Sequence, residues 1–522
     1  MSAELKIHMR LHKRKVLPNS KELVVNFNKR NEPETISEHN DPLRIDWTDV
    51  KDEPGYITGQ EALRIPDDST PRYKLFWPLQ HGWYNEKEYD QKRVVFDDVS
   101  VILEEAIKKQ LNLHRKRDWA QYGCVYVIPD LYEKRYVVQT LDMLMRDFGF
   151  GKVCFIQESL AATFGSGVTQ ACVVDIGAQK TSICCVEEGM CIENSRVNLK
   201  YGGADVTETF VRMMLHDYFP YQEINLKRRY DFLLAEELKC GVCTMDEDRV
   251  VVDGHDFHLR APGQETRKYQ FKVYDEPLLA VQGFFNPTLF DHSSKLEGRR
   301  KIIEPSTDLY DGSPNDPASS AQSAIVADLS PPATVPSQAN GGMFVFGSTP
   351  NRQPFGLSKR TNDATDRSSP APDSPAGDDD STPAPAAEDN TIGTQNILAT
   401  SVRDDVLPII ALDKAIYMSI EHGSRGDERK MRDFTGGIML IGGCSLIKGL
   451  DSYLENRLSQ LKPGLKNWQV AGKPKDLNNQ FVMWKGGSVF GRMRSTNDSW
   501  IGRLEYDRLG ARLLAYKCMW AW

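Results

Sequence analysis

Residues 155–186 read FIQESLAATFGSGVTQACVVDIGAQKTSICCV. The apolar run VCFI (153–156) and the run ACVVD (171–175) are short, continuous and rich in β-branched residues, as buried strands are. Gln157 stands at a helix start between them. The second run ends in Asp175, the chain turns tightly through Gly177, and a further strand starts near Thr181. Upstream, CVYVI (124–128) is another short apolar run, closed by Pro129 and Asp130. In DDVSVILEEAIKKQLNL, Val99, Ile102, Leu103, Ala106, Ile107 and Leu111 form a helical stripe, with Asp97 or Asp98 as its expected N-cap. Residues 134–148 repeat that period with Val137, Leu141, Leu144, Met145 and Phe148. Downstream, a helix near 405–421, the strand IMLI (438–441), a helix near 446–460 and a helical C-terminus continue the alternation. Strands alternating with helices predict parallel pairing and the α/β class.

The chain has 522 residues, enough for two to four domains with a large core. A net charge of -8 argues against general polyanion binding, so any contact with nucleic acid has to be local. The ten cysteines sit mostly in apolar contexts such as Cys154, Cys172, Cys184 and Cys185. Met1 leads into Glu4, Lys6 and His8 with no apolar signal region, and no run is long enough to span a membrane. The expectation is a reducing compartment with buried thiols and no membrane contact. Residues 298–396 contain SPNDPASSAQS, DLSPPATVPSQANGG and SSPAPDSPAGDDDSTPAPAAEDN; few large apolar residues are available to offset the entropy of ordering, which predicts a disordered insertion.

Three segments carry a family resemblance. Residues 155–186 are similar to the second phosphate hairpin of the actin family. LIGGCSLIKGLDSYLENRL (440–458) resembles the adenosine motif of that superfamily, and MWKGGSVFGRM (483–493), with Trp500 and EYDRLGARLLAYKCMWAW (505–522), resembles the actin C-terminus. Their order and spacing match apart from the insertion, and the likeness covers about 55–297 and 397–522. The resemblance implies an actin-like fold of the two-lobed, ribonuclease-H-like ATPase superfamily. It divides the chain into a polar, partly basic segment 1–54, a first lobe 55–172, a second lobe 173–297 resumed at 397–482, and C-terminal helices 483–522 returning to the first lobe.

It also implies a nucleotide site. Asp175, Ile176, Gly177 and Ala178 would face phosphates, with Asp175 holding a divalent ion (magnesium accompanying ATP) through water. Gln157 matches the residue that orients attacking water, Glu237 matches a ribose contact, and Gly442 and Gly443 would admit the nucleoside. The pattern departs at several of these positions. Ser182 stands where actin has a catalytic His, Ile447 replaces the adenine-facing Tyr, Gln480 replaces a Lys near the base, and Glu236 replaces a Lys beside Glu237. The chain also begins after the place of the first Gly-rich hairpin; Asn26 to Asn31 contains no Gly. ATP binding is therefore expected to be weak and hydrolysis negligible.

Within the family, QKTSICCVEEG, YGGADV and the aromatic end Trp520-Ala521-Trp522 look like the actin-related subunits of the INO-eighty chromatin-remodelling complex. This implies a non-catalytic nuclear scaffold that binds an extended helix of the motor subunit, beside nuclear actin and another actin-related protein. It would support nucleosome and linker-DNA engagement in transcription regulation, DNA replication, recombination and repair. The alternatives are an actin-like ATPase that switches with nucleotide and a filament former, which needs self-complementary contacts. Arg10, Lys13, Arg14 and Lys15 are the candidate DNA contacts and Lys227, Arg228 and Arg229 a second basic run; the plain reading of either run is a solvated face.

Other motifs carry little. Cys240, Cys243, His255 and His258 have near-finger spacing, but the cysteines end a helix and the histidines fall three apart in a probable strand, on opposite faces. Asp147-Phe148-Gly149 lacks the ordered partners of a kinase, and Gly151-Lys152 is followed by Val153 rather than Ser or Thr.

Overall fold

The computed structural model describes Ser2, Leu5 and residues 19–85, 87–297, 306–309, 315–329, 406–465, 467–470 and 477–522. Among these the strands are β1 (Glu34–Ile36), β2 (Leu79–Gln80), β3 (Trp83–Tyr84), β4 (Gly123–Ile128), β5 (Lys152–Gln157), β6 (Gln170–Ile176), β7 (Thr181–Glu187), β8 (Met190–Cys191), β9 (Val197–Leu199), β10 (Asp253–Leu259), β11 (Thr266–Val273), β12 (Ile438–Ile441) and β13 (Ile501–Gly502). One sheet runs β12-β6-β7-β8, with β9 also on β7; another runs β13-β5-β4; a third, antiparallel, runs β1-β11-β10; β2 and β3 form a small hairpin. The expected parallel pairing is found between β4 and β5 and between β6 and β12. β6 and β7 are antiparallel, the expected hairpin, and both are buried along almost their whole length.

The sheet containing β6 packs into the largest core, with Val174, Ile183, Val206, Phe210, Ile416 and Leu440 among its members. The sheet containing β4 has its own core around Trp119, Leu141, Phe148 and Phe155. Between them lies a third cluster, where helix Glu158–Ser166 crosses helix Val482–Arg492. That crossing is close because both helices present glycine: a Cβ on Gly165 would lie 2.1 Å from the Val482 carbonyl oxygen. The C-terminal segment is tied to this half by β13 on β5.

Several boundaries differ from the sequence reading. The helix expected to start at Asp97 or Asp98 runs Lys92–Leu111 with Gln91 as N-cap, so both aspartates lie within it. Residues read as part of a polar leading segment are structural: helix Ser20–Asn28 buries Val24 completely, and β1 extends the sheet of β11. Part of the expected disordered insertion is a helix, Ser320–Leu329, which buries Ala321 and Ile325 against the main core. Its three apolar anchors, Ala321, Ile325 and Val326, have helical spacing but are hidden between two Pro- and Ser-rich runs. Residues 298–305, 310–314 and 330–396 of the insertion lie outside the described residues.

Candidate functional site

Three turns meet at the end of β6. The β6–β7 register sets Asp175 opposite Ser182 and Ile176 opposite Thr181, and the turn is closed by the Gly177 N–H donating to the Lys180 carbonyl at 2.9 Å. Because β12 pairs with β6 up to Ile441 and Asp175, the chain leaving β12 passes directly over Asp175. Gly442 stands there with φ 87°, and a Cβ would lie 2.3 Å from Asp175 Oδ1 and 2.5 Å from the Ile176 oxygen. This glycine is required both by its left-handed backbone and by contact. The third turn is Tyr201-Gly202-Gly203, leading into helix Gly203–His216. Gly203 N–H donates to the Gly177 carbonyl at 2.9 Å and Ala204 N–H to that of Ala178 at 2.6 Å. Asp205 fixes the turn: one carboxylate oxygen accepts from Gly202 N–H at 2.9 Å and the other is 2.6 Å from Lys295 Nζ.

Sequence-predicted residues therefore come together in part. Asp175, Ile176, Gly177, Ala178, Gly442 and Gly443 line one junction, and the Gln480 amide lies near Gly443. Gln157 is buried, and its side-chain amide faces the Asp130 carbonyl at 3.5 Å. Glu237 is exposed on helix Arg229–Val242; its neighbour Glu236 accepts from Thr207 and is 2.7 Å from Lys239 Nζ. Ile447 packs against the main core. Ser182 is buried, and its hydroxyl has no hydrogen-bond partner among the described residues. Arg10, Lys13, Arg14 and Lys15 lie outside the described residues. In the second basic run, Arg229 is spent inside the fold, 2.8 Å from Asp67 and donating to the Tyr73 carbonyl. Cys240, Cys243, His255 and His258 are not brought together: among the described residues the one group with metal-ligand spacing is Asp130, Cys184 and Cys191.

Three features were missed. His81 and Gly82, at the tip of the β2–β3 hairpin, reach across to the β6–β7 turn: His81 N–H donates to Gln179 Oε1 at 3.0 Å, and Gly82 lies on the stem of Lys180. Burial, then the nearby Lys295, pushes His81 down to about 4, so it is neutral at pH 7. The signal was the His-Gly pair in PLQHGWYN (78–85), a turn between short apolar runs. Lys180 itself is the second feature: its ammonium lies 2.8 and 2.7 Å from the two oxygens of Glu158. Burial works against that charge, and Glu158, Asp175 and Asp130 outweigh it, so its affinity for the proton is raised. The third is a cavity of about 600 Å³ on the far side of Gln157, lined also by Glu187, Cys191, Arg425, Lys430 and Trp520. The C-terminal tail forms one wall: Trp520 Nε1 donates to Tyr132 Oη at 2.7 Å, and Trp522 stacks on the Tyr132 ring.

Burial, followed by Glu158, pushes the Asp175 carboxyl up to about 7. The folded state thus holds this proton more tightly than the unfolded chain does. Stability contributed here is greatest at low pH, falls as the pH rises from about 4 to about 7, and is flat above. Asp175→Asn removes that dependence. The variant without nucleotide is expected to be at least as stable as the parent at pH 8, with the difference shrinking towards pH 4. Thermal unfolding across that range checks it; a parent that gains on the variant as pH rises would refute the assignment.

The Actin family profile matches residues 94–248 and 407–519. "Probable actin-related protein 8" of Schizosaccharomyces pombe is 34% identical over 99% of this chain and 74% of its own length. "Actin-related protein 8" of Homo sapiens is 30% identical over 97% of this chain and 80% of its own. Among solved structures, human actin-related protein Arp8 in its ATP-bound state superposes with a TM-score of 0.71 at 25% identity, covering 100% of this chain and 85% of that one.

Proposed function

The chain belongs to the actin family, in its actin-related protein 8 branch, and from that premise we propose that it is a non-catalytic scaffold subunit of a nuclear chromatin-remodelling complex. In this reading it holds an extended helix of the motor subunit beside actin and another actin-related protein. It supports nucleosome and linker-DNA engagement, with Arg10, Lys13, Arg14 and Lys15 as the phosphate-contacting run. The nucleus is its compartment. No helix among the described residues is long and apolar enough to cross a membrane.

The observation that carries the non-catalytic reading is the pairing of Asp175 with Ser182 across the hairpin. A hydroxyl that is buried and has no hydrogen-bond partner among the described residues stands where a base or water-positioning imidazole is needed. Gln157 is turned to the Asp130 carbonyl. ATP can still be a structural ligand, as the ATP-bound state of the human relative suggests. Asp175, Ile176, Gly177 and Ala178 would lie along its phosphates and Gly442 and Gly443 beside its nucleoside, with Glu237 at the exposed ribose edge. Ile447 in place of an aromatic ring removes a stacking contact of about 1 kcal/mol, and Glu236, its carboxylate paired with Lys239, supplies no cation at a position where the family has one, so affinity is weak.

Phosphate release by the purified chain, measured beside actin, tests the non-catalytic claim. No release above the uncatalysed background is expected, with or without DNA. Turnover at the actin rate or faster contradicts it and favours the nucleotide-switching ATPase.

A further inference from the structure

Three carboxylates gather behind the phosphate-type hairpin. Asp130 follows β4, Glu158 opens the helix after β5, and Asp175 is next to last in β6; all three are buried. Family resemblance implies a divalent ion held here through water by Asp175. The residues present do not fit that ion, because a cation is already built into the hairpin.

Lys180 approaches both oxygens of Glu158 at 2.7 and 2.8 Å, with its side chain only 17% exposed. It is fixed at both ends. Its carbonyl accepts the Gly177 N–H that closes the turn. Its stem is covered by Gly82, where an added Cβ would meet Lys180 Cδ, Cγ and Cβ at 2.7 to 3.1 Å. The neighbouring Gln179 side chain is held by the His81 N–H. Of the other carboxylates, Asp130 accepts from the Ser159 N–H and hydroxyl at 3.2 and 2.5 Å and from the Cys191 thiol at 3.7 Å, and Asp175 has the Lys180 charge as its favourable partner. An added dication would have to share this buried space with an ammonium that cannot swing to solvent, and like charges in a low dielectric repel strongly.

We propose that the Lys180 ammonium is the resident cation of this cleft, standing where the family's divalent ion would be, so that a nucleotide on the hairpin is bound without a metal bridge. The His81-Gly82 tip is then the element that keeps Lys180 in place. The nucleotide part of this inference rests on the reading of the cleft given above; the cation part does not.

The test measures ATP affinity of the full chain in magnesium and in EDTA. For the unaltered protein the coupling factor between magnesium and ATP is expected to be close to one, whereas Lys180→Met opens the carboxylates and makes binding magnesium-dependent by about tenfold or more. Lys180→Arg keeps the charge and is expected to behave as the parent. A tenfold loss of affinity by the unaltered protein in EDTA overturns the proposal, and that comparison needs no variant to fold. If the unaltered protein binds ATP in neither condition, the nucleotide reading fails. Manganese titration followed by electron paramagnetic resonance then decides the cation claim. The expected result is no tight manganese site in the parent and one in Lys180→Met that vanishes when Asp175→Asn is added. Equal manganese uptake by parent and Lys180→Met overturns it.

Discussion

Gly486→Ala is expected to destabilise the protein by about 3 kcal/mol or more, at the upper end of what overpacking costs. The added methyl would lie 1.7 Å from the carbonyl oxygen of Ala161, 2.6 Å from its carbon and 2.9 Å from the Gly165 nitrogen. All three are backbone atoms of helix Glu158–Ser166, so no side chain can rotate away. The helices have to separate, and with them Gln157 and Glu158, which anchor the hairpin site. Helix propensity works in the opposite direction, favouring alanine by about 1 kcal/mol, so a measured loss can be assigned to the clash. Gly241→Ala is the control. It lies in helix Arg229–Val242 with nothing within 4 Å of an added Cβ, and is expected to be neutral or slightly stabilising. Calorimetric unfolding of both variants checks the pair; a neutral Gly486→Ala would mean that the crossing is looser than described.

Lys295→Met is expected to cost about 3–5 kcal/mol, the loss usual when one partner of a buried ion pair is removed. The side chains of Lys295 and Asp205 are 3% and 6% exposed and 2.6 Å apart, and Lys295 also donates to the Lys200 carbonyl at 2.7 Å. Without Lys295, Asp205 keeps only part of its compensation, through the Gly202 N–H. Adding Asp205→Asn to Lys295→Met is expected to recover part of the loss, because the uncompensated charge is gone. Purely additive losses in this cycle would show that the two groups are not coupled. Because Asp205 sets the Gly202 turn against Gly177, Lys295→Met is also expected to weaken any nucleotide binding.

Local patterns revealed the parts of this molecule that are written locally. The apolar runs at 124–128, 153–156, 171–175 and 438–441 are strands because a continuous β-branched stretch has few other uses in a core. Gly177 and Gly442 are legible as turn glycines, whereas Asp175 is singled out by the family resemblance of the segment that carries it. What was not legible depends on contacts far apart in the chain. Lys180, on a polar turn, reads as a solvated lysine until Gly82, almost a hundred positions earlier, is seen to cover it. His81 carries only the turn signal of its His-Gly pair, which says nothing of its reach to Gln179, almost a hundred positions later. The helix Ser20–Asn28 looked polar because much of what docks it is polar: beside the completely buried Val24, Asn28 exchanges hydrogen bonds with the Lys272 backbone of β11 and Lys21 pairs with Asp217 and Glu276. Gln157 was read as water-orienting by resemblance, and only the position of Asp130 shows where its amide is directed. Arg229, which looked like part of a basic surface, is consumed by Asp67 and Tyr73, a partnership set by tertiary folding.

The scaffold reading is tested most directly by purifying the tagged chain from nuclei and identifying what accompanies it in stoichiometric amount. A motor ATPase with a long accessory helix, actin and a second actin-related protein are predicted, retained after ATP depletion. Recovery of the chain alone, or of a polymer of the chain that assembles and disperses with nucleotide, would contradict it.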